Sequence, residues 1–558
     1  MSDASSSVDP VTCSVIEHRL NNIVAEMGEA MLRTSYSQIL NASRDFSIAL
    51  LDPAARLIAQ ADHIPVHVGA LPSAVRAVEM KFSDDICAGD VVLLNDPYHG
   101  GSHLPDLTAF VPIFHEGQRL FWAVVRAHMG DIGGATHGAY NPSATEIWQE
   151  GLRIPPMKIC EAGIMRADVL DMLALNVRFP REFKGDLAAM IGAARFGASR
   201  IDALLAEYGT KTVGRAIEGM LDAAELRSRA IVAGWPDGVY RGVALLDDDG
   251  TGRTDLAIRV TVTVQGDALN VDLSDTDMQS ERFVNSSQAN TQAAVAMAFA
   301  YLIDADIPKN DGAFRPLSVT LQPGTLVCPG PTAPVTLCTS HPSNEVVEAI
   351  IRALAPACPD RAMGGWGRRF RISLTGDNPR NGRRFVWHLF HARPGGGASV
   401  AGDGWSSGGE WHAVGGIKFG SIEVTEARFP LRFDHHELRA GSGGDGQHRG
   451  GLGTCLDLLL EVPVVAHTAG DGARHGSAGI NGGHDGLPHH YEVEEGGQRR
   501  TLATKSFGNH FAAGSTLRLA SSGGGGWGDP AKRSPERRAR DILLGIADQS
   551  GTLPEDCA

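Results

Sequence analysis

The sequence predicts a mixed fold, α/β or α+β, in one compact chain of several parts. Two observations carry this prediction. Apolar residues recur at helical spacing along much of the first half of the chain, and they alternate at strand spacing after residue 238. Glycine accounts for 67 of the 558 residues, and its longest runs lie toward the C-terminus. We therefore expect an α/β part over residues 1–235, an α+β part over 236–370 and a β-rich, glycine-rich part over 371–558.

The N-terminal part is predicted to begin with a helix, because Asp9 and Pro10 supply a cap and a first-turn proline. Apolar residues then recur at helical spacing from Ile16 to Met31. The elements predicted after this helix are strands over 46–51 and 57–59, a helix over 71–81, and strands over 90–94, 108–114 and 119–127.

The remaining two parts are predicted from the same periodicities. Residues 167–232 show a helical pattern that Pro180 interrupts, and residues 238–273 alternate as antiparallel strands do. The elements predicted after them are helices over 291–303 and 344–354, short strands with glycine turns from about 373, and a helix over 535–546. We interpret the late glycine runs as strand turns and surfaces for subunit contact.

Charge and cysteine content limit the class of protein. The formal net charge of −15 argues against a nucleic-acid-binding or membrane-binding surface. Eight cysteines are scattered without a Cys-x-x-Cys pair, which is typical of reduced thiols and not of a disulfide framework. The N-terminal residues are polar, and the longest apolar run, 293–303, is too short to span a membrane. We therefore expect a cytoplasmic protein.

The strongest local signal is a polar loop after the buried strand over 90–94. Its sequence, Asn-Asp-Pro-Tyr-His-Gly-Gly-Ser-His-Leu-Pro-Asp at 95–106, is followed later by Arg-Ala-His-Met-Gly-Asp at 126–131. Functional groups collect on loops at strand ends, and the glycines allow a tight fold around a small ion. The candidate ligands and acid–base groups are Asp96, His99, His103, Asp106, His128 and Asp131.

Spacing alone leaves two interpretations of these clusters open. Imidazole together with carboxylate suits a divalent cation such as Mn, Zn or Fe, and the lack of thiolates excludes a closed structural zinc site. A catalytic metal with open coordination positions is then expected. In the other interpretation, the aspartates cap backbone N–H groups in turns, and the histidines coincide by chance among the 21 in the chain.

Other candidate sites are weaker. His63 and His67 have the spacing of one helical turn, but Pro65 predicts a bend between them, and we interpret both as structural. The glycine runs at 395–397 and 523–526 lack the Gly-x-x-x-x-Gly-Lys-Ser/Thr pattern and the strand–loop–helix context of a phosphate loop. We therefore expect no nucleotide or other cofactor-binding site in this chain.

Several motifs, in order along the chain, resemble the hydantoinase B/5-oxoprolinase family. Besides the two clusters above, they are Ser-Arg-Asp-Phe-Ser at 43–47, Ile-Pro-Val-His-Val-Gly at 64–69, Glu-Gly-Leu-Arg-Ile-Pro-Pro at 150–156, His-Arg-Gly-Gly-Leu-Gly at 448–453 and Gly-Gly-Gly-Gly-Trp-Gly-Asp-Pro at 523–530. The resemblance extends from about residue 10 to residue 546. Motif agreement this long and ordered is specific for the family.

The resemblance implies one subunit of an ATP-dependent hetero-oligomer. A separate hydantoinase A-type chain with an actin-like ATPase fold binds ATP with Mg in such enzymes, which open N-methylhydantoin, 5-oxoproline and other lactam rings. The leading hypothesis is a metal-binding subunit of a cyclic amide hydrolase that acts on a substrate phosphorylated by this partner. The alternatives are a subunit of a ketone carboxylase of the acetone or acetophenone carboxylase type, and a non-catalytic scaffold for the ATPase.

The resemblance also implies a ligand set. The corresponding subunit of acetone carboxylase holds manganese through a His-x-x-Asp pair and a later His, which match His103, Asp106 and His128 here. The expected metal is Mn or Zn, or alternatively Fe. Met129 departs from the family pattern, because many relatives have a second His at this position. The departure predicts that His128 carries the ligand role alone.

Roles for neighbouring residues follow from the same resemblance and from their chemistry. Asp131 or Asp96 is the expected general base that orients the attacking water. His99 is expected to hold a ligand carboxylate from outside the first coordination sphere. Glu150 and Arg153 are expected to bind substrate, by family position only.

Overall fold

The computed structural model describes residues 8–61, 63–139, 141–414 and 418–547. Its N-terminal region holds one sheet of seven strands: β1 (Phe46–Leu51), β2 (Leu57–Ala61), β3 (Val91–Leu94), β4 (Asp106–His115), β5 (Gln118–His128), β6 (Met157–Glu161) and β7 (Ile164–Met165). The order across the sheet is β2-β1-β5-β4-β3-β6-β7, and all neighbours are antiparallel. The strands predicted in this region are confirmed.

Seven helices accompany this sheet: α1 (Pro10–Thr34), α2 (Gln38–Asn41), α3 (Pro65–Gly69), α4 (Leu71–Phe82), α5 (Ala167–Leu175), α6 (Pro180–Tyr208) and α7 (Thr210–Val232). The predicted cap of α1 is confirmed, because the Asp9 carboxylate accepts hydrogen bonds from the N–H groups of Val11 and Thr12. Pro180 occupies the first turn of α6, where its missing N–H costs nothing, and it separates α5 from α6 as predicted.

Both faces of the sheet are buried, and strand alternation assigns residues to one face or the other. Ile48 and Leu50 belong to the main core, which also contains the buried residues of α1 and α6. Ala49 and Leu51 belong to a second core, which contains the buried face of α4. Alternate side chains of one short apolar strand therefore pack against two different layers of helices.

A second sheet forms the middle of the chain from β8 (Gly238–Asp248), β9 (Thr254–Gln265), β10 (Ala268–Asp272) and β11 (Leu317–Thr320). The predicted antiparallel strands are confirmed, and β11 joins β10 in parallel. The helices of this region are α8 (Gln288–Leu302), α9 (Asp311–Phe314) and α10 (Pro342–Leu354). The two predicted apolar helices, α8 and α10, pack against each other.

Two further sheets occupy the C-terminal region, as its β-rich pattern predicts. One contains β12 (Ile372–Asn378), β13 (Arg383–His388), β16 (Val464–Ala469) and β19 (Lys505–Phe511). The other contains β14 (Leu431–Leu438), β15 (Thr454–Leu460), β17 (His490–Glu495), β18 (Gln498–Thr501) and β20 (Thr516–Ala520). Two helices are present, α11 (Ile422–Arg428), which the sequence did not predict, and α12 (Pro535–Leu543), which it did.

The structure corrects the prediction that the late glycine runs form strand turns and surfaces for subunit contact. The runs 395–397, 450–453 and 523–526, here called the glycine core, are buried and hydrogen-bond to each other through their backbones. Gly451 N–H donates to Gly396 O, and Gly524 N–H donates to Gly451 O, both at 2.9 Å. A Cβ atom on Gly524 would lie 2.0 Å from Gly396 O. These glycines are therefore interior packing residues, not strand turns or subunit contacts, because only a chain without side chains fits this spacing.

The main hydrophobic core joins residues from Ile16 to Ile480, so it crosses both predicted part boundaries. The boundaries near 235 and 370 stay predictions. The cysteines in the described part of the chain form no disulfide with one another. No helix among the described residues is long and apolar enough to cross a membrane.

Candidate metal centre

Antiparallel register brings the two predicted clusters to one edge of the first sheet. Asp106 is the first residue of β4, and it pairs directly with His128, the last residue of β5. β1 begins at the same edge, where His128 N–H donates to Asp45 O at 3.0 Å. Polar residues that are remote in sequence thus meet where three strands begin or end.

His103, Asp106 and His128, here called the metal cluster, are buried and close together. Each offers one ligand atom, and these atoms all lie within 4.8 Å of one another. Asp106 Oδ1 lies 2.8 Å from His103 Nε2 and 3.2 Å from His128 Nδ1. Among the described residues, this is the one group of three or more His, Cys, Asp or Glu side chains with such geometry.

The hydrogen bonds of His103 determine which of its nitrogens carries the proton. Nδ1 contacts the Thr336 carbonyl, which can only accept, so Nδ1 is the protonated nitrogen. In the neutral imidazole Nε2 is then a bare acceptor, buried, without a hydrogen-bond donor. It faces a carboxylate oxygen of Asp106, which is also an acceptor. In this tautomer the two acceptors, 2.8 Å apart, repel each other, and a cation bound by both would remove the repulsion.

The charge state of Asp106 fits a ligand role. Burial opposes its ionisation, but the neighbouring imidazoles of His103, His67 and His128 overcome burial and hold the pKa of Asp106 well below its usual range. Its Oδ2 accepts from Ser102 Oγ at 2.5 Å. The carboxylate is therefore ionised and held in one orientation.

Two residues that sequence reasoning missed lie beside the metal cluster. His67 Nε2 is 3.3 Å from Asp106 Oδ2 and 3.8 Å from Asp45 Oδ1. The interpretation of His67 as a structural residue rested on Pro65, which in fact begins α3 instead of breaking it. Pro65 in a first turn is favourable, because no N–H is needed there. The signals that could have found both residues are the motifs at 43–47 and 64–69.

The structure gives Asp96 and Asp131 other partners. Asp96 caps a short 3₁₀ turn (Pro97–His99) and pairs with Arg153 Nη2 at 2.9 Å. Asp131 Oδ1 pairs with Arg178 Nη1 at 2.9 Å, and its Oδ2 accepts from Arg178 N–H at 2.7 Å. Neither joins the metal cluster. Their role as general base stays a prediction, and these contacts do not favour it.

His99 and Arg153 also lie outside the metal cluster. His99 is half-exposed, and its Nδ1 is 3.3 Å from Asp96 Oδ2, so it contacts a carboxylate that is not one of the three ligands. The Arg153 guanidinium lies over the rings of Tyr98 and Trp148, at 5.8 and 5.4 Å from their centroids. Substrate binding by Arg153 stays a prediction.

Glu150 is connected to the metal cluster through the backbone. Its two oxygens accept hydrogen bonds from Val335 N–H and Thr336 N–H, both at 2.9 Å. Thr336 in turn accepts the proton of His103 through its carbonyl. Burial raises the pKa of Glu150 to about 8, against the lowering effect of the two N–H groups. Glu150 is thus placed to orient His103 indirectly.

Met129, where the predicted family pattern has histidine, is 1% exposed and belongs to the main hydrophobic core. Its N–H donates to Pro105 O at 2.8 Å, which ties the second cluster to the loop of the first. The side chain at this position therefore contributes packing, and His128 is the imidazole that this strand end gives to the metal cluster.

Comparison with known proteins defines the class to which this fold and site belong. A family model described as hydantoinase B/oxoprolinase matches residues 9–530. The chain therefore belongs to the hydantoinase B/oxoprolinase family, which confirms the resemblance predicted from its motifs.

Particular relatives narrow the comparison. Caprolactamase subunit beta of Pseudomonas jessenii is 34% identical over 98% of this chain and 96% of that protein. The crystal structure of ATP-dependent caprolactamase from Pseudomonas jessenii superposes with a TM-score of 0.92 at 32% identity, over 98% of this chain and 95% of that chain. 5-Oxoprolinase 1 of Arabidopsis thaliana is 29% identical over 94% of this chain but only 42% of its own length. An acetone carboxylase structure shares the fold, with a TM-score of 0.88 at 20% identity over 97% of this chain and 78% of that chain.

Proposed function

We propose that this chain is the metal-binding subunit of an ATP-dependent cyclic amide hydrolase. The observation that carries the proposal is the buried convergence of acceptor atoms at His103, Asp106 and His128. Relatives named caprolactamase and 5-oxoprolinase supply the substrate class, which is lactams and related cyclic amides. The subunit name of the caprolactamase relative supports a partner chain.

The donor set fits a divalent cation. Nε2 of His103 is buried without a hydrogen-bond partner, and Asp106 is ionised beside it. Two imidazoles with one carboxylate suit Mn, Zn or Fe better than Mg or Ca, which prefer oxygen ligands alone. The site resembles catalytic metal centres in having few protein ligands and no thiolate.

The partner is proposed to be a hydantoinase A-type ATPase that phosphorylates the amide oxygen. An unstrained amide is a poor electrophile, and this phosphorylation makes its carbon open to attack by water. The water oxygen bonds to that carbon, the ring C–N bond breaks and the nitrogen takes a proton. A second water then converts the resulting acyl phosphate to carboxylate and inorganic phosphate.

This chain's residues position the reacting groups. A divalent cation at the metal cluster would lower the pKa of a bound water or polarise a substrate oxygen. Thr336 O keeps the proton of His103 on Nδ1, so Nε2 stays available as a ligand. Ser102 fixes the second oxygen of Asp106. Glu150 fixes Thr336, so its predicted contact with substrate is replaced in this proposal by a positioning role.

The test is metal content and activity of the chain co-purified with its ATPase partner. His103→Ala is expected to lose the metal and ring-opening activity while the complex stays folded. His435→Ala is the matched control, because His435 is 41% exposed on β14 and contacts only Glu437 among charged groups. The assay measures ADP release with caprolactam, 5-oxoproline and hydantoins.

Two outcomes would replace the proposal. ADP release that requires bicarbonate and a ketone would make the chain a carboxylase subunit. Full lactam-dependent activity of a metal-free His103→Ala complex would make it a scaffold for the ATPase. Retained metal in His103→Ala would contradict the assigned ligand set.

A further inference from the structure

A buried arginine close to the metal cluster lacks a partner for its charge. Arg393 lies between β13 and α11 and is 3% exposed. Its Nε and Nη2 atoms are buried and have no hydrogen-bond partner. Burying guanidinium donors without acceptors is costly, because the hydration that is lost is not replaced. A ligand that supplies acceptors would remove this cost.

The carboxylate that could balance Arg393 is already paired. Glu410 accepts from Arg371 through both of its oxygens, at 2.9 and 3.1 Å. Arg371 is itself 1% exposed and also keeps a buried Nε without a partner. Two guanidinium groups therefore share this one paired carboxylate, and unused donors remain on both. Burial and Arg371 lower the pKa of Arg393 to about 9, which shows how little compensation Glu410 supplies.

A backbone contact connects the surroundings of Arg393 to the strand edge of the metal cluster. Lys418, which precedes the Phe419 that contacts Arg393, donates its N–H to Ser43 O at 3.1 Å, two residues before Asp45. Asp45 is the second carboxylate, after Glu410, whose negative charge raises the pKa of Arg393. Its Oδ1 lies 3.8 Å from His67 Nε2. His412 provides another connection, because its Nε2 lies 3.7 Å from Glu410 Oε2, and because after burial its pKa is lowered by Arg369, Arg371, His67 and Arg393. Its Nδ1 is also buried without a partner. The arginines therefore border the same polar interior as the metal cluster.

Arg393 is also held in place. Its carbonyl accepts hydrogen bonds from Thr454 Oγ1 at 3.1 Å and from Ser521 Oγ at 2.7 Å. Its guanidinium carbon lies 5.4 Å from the centroid of the Phe419 ring. A guanidinium stacked on an aromatic ring keeps its edge free for bidentate contact with an oxyanion.

We propose that Arg393, with Arg371 and His412 beside it, binds the phosphoryl group of the phosphorylated substrate while the amide carbon lies at the metal cluster. This inference rests on the proposed function, in which the substrate arrives as a phosphate ester. An oxyanion of a different origin, the carboxylate that some cyclic amides carry, has similar chemistry. The phosphoryl group is favoured because every activated substrate carries it, whereas a simple lactam carries no carboxylate.

The first test uses inorganic phosphate and acetate as probes of the full chain. Phosphate is expected to raise the unfolding temperature of the wild type, and Arg393→Met is expected to abolish this shift. Arg432→Met is the control, because Arg432 is 55% exposed on β14. A shift with acetate and none with phosphate would overturn the phosphoryl assignment in favour of a carboxylate subsite. A phosphate shift that survives in Arg393→Met would overturn the role of Arg393.

Stability without ligand separates this role from a structural one. Methionine keeps most of the apolar volume of arginine and removes the unpartnered charge. Arg393→Met without phosphate is therefore expected to unfold at the same temperature as the wild type or above it. A large loss of stability would mean that Arg393 is structural and would overturn the proposal. If Arg393→Met does not fold, Arg393→Lys keeps the positive charge and removes the paired guanidinium donors. The expected result is a tenfold or greater loss of phosphate affinity. Unchanged affinity would overturn the proposal.

The second test measures how tightly ATP cleavage is coupled to ring opening in the co-purified complex. Arg393→Met is expected to keep its metal, to release ADP with lactam present, and to open at least tenfold fewer rings per ATP cleaved than the wild type. Unchanged coupling would overturn the proposal. Failure of the proposed function is distinguishable, because the wild-type complex itself would then show no lactam-dependent ADP release, whereas the phosphate shift needs no turnover.

Discussion

The loops that carry the metal cluster and the glycine core of the C-terminal region are both rich in glycine, yet their buried polar atoms differ. In the glycine core, backbone N–H and C=O groups of neighbouring runs satisfy one another. At the metal cluster, buried acceptors face acceptors, and buried arginine donors nearby have no partner. A saturated interior needs no ligand, whereas an unsaturated one gains stability when a ligand supplies the missing partners. The contrast indicates that the glycine core maintains the fold and that the metal cluster binds a ligand.

The largest effect is expected for a side chain introduced into the glycine core. Gly524→Ala places a Cβ atom 2.0 Å from Gly396 O, and the backbone around it cannot yield without breaking hydrogen bonds. We expect a loss of about 4 kcal/mol or more in the free energy of unfolding, measured with denaturant. Gly219→Ala in α7 is the control, because nothing lies within 4 Å of its Cβ; it is expected to gain about 1 kcal/mol. Equal behaviour of the two variants would mean that the glycine core is not close-packed.

The opposite behaviour is expected at the metal cluster, where function should be lost before stability. Asp106→Asn removes the anionic oxygen between His103 and His128. We expect metal affinity to fall by more than about 100-fold, since changes even outside the first coordination sphere cost about 10-fold to 100-fold. Metal titration of the folded variant checks this. Asp168→Asn, at an exposed pair with Arg166, is the control, and wild-type metal affinity in Asp106→Asn would contradict the site.

A smaller effect is expected from Glu150, which acts through the backbone. Glu150→Gln replaces one acceptor oxygen by an NH₂ group that cannot accept from Val335 or Thr336 N–H. The Thr336 carbonyl then holds His103 less firmly, and we expect a loss of about 10-fold to 100-fold in metal affinity. If metal affinity is unchanged while substrate KM rises, Glu150 contacts substrate, as its family position suggested.

The smallest expected effect is on the pH dependence of stability. The pKa of Glu150 is raised from 4.5 to about 8 in the folded chain. Between these values the folded state holds a proton that the unfolded state has lost, so its contribution to stability is complete below pH 4.5 and is lost progressively up to about pH 8. Glu150→Gln is expected to flatten this part of the stability curve. The free energy of unfolding is measured with urea at several pH values. If it changes with pH equally in the two proteins, the negative charge of Glu150 is compensated by its surroundings.

The local elements were predictable because their signals are local. The cap at Asp9, the break at Pro180 and the alternation in β9 each depend on a few neighbouring residues. The three residues of the metal cluster were predicted from the family resemblance, because local spacing alone left six candidate residues open. Helix α11 was missed because it is short and lies within a region of strands and turns.

The partners of the predicted polar residues were not predictable. Asp131 meets Arg178 from the segment before α6, and Glu150 meets Val335 and Thr336 from a distant loop. The position of His67 beside the metal cluster was not predictable, because a proline at the start of a helix and a proline at a bend look alike in sequence. These contacts join segments far apart in the chain, so no periodicity or spacing encodes them.

The sequence by itself determined the family, the alternation of strands and helices, and the residue types that could hold a metal, since each is a property of short segments or ordered motifs. Only the tertiary structure decided which of those side chains share an interior, because antiparallel register places Asp106 opposite His128. It also decided the use of the glycines. In the loops of the metal cluster, Gly100, Gly133 and Gly134 combine a positive φ with close approach to other backbone. The glycines of the glycine core have no positive φ and serve close backbone approach alone.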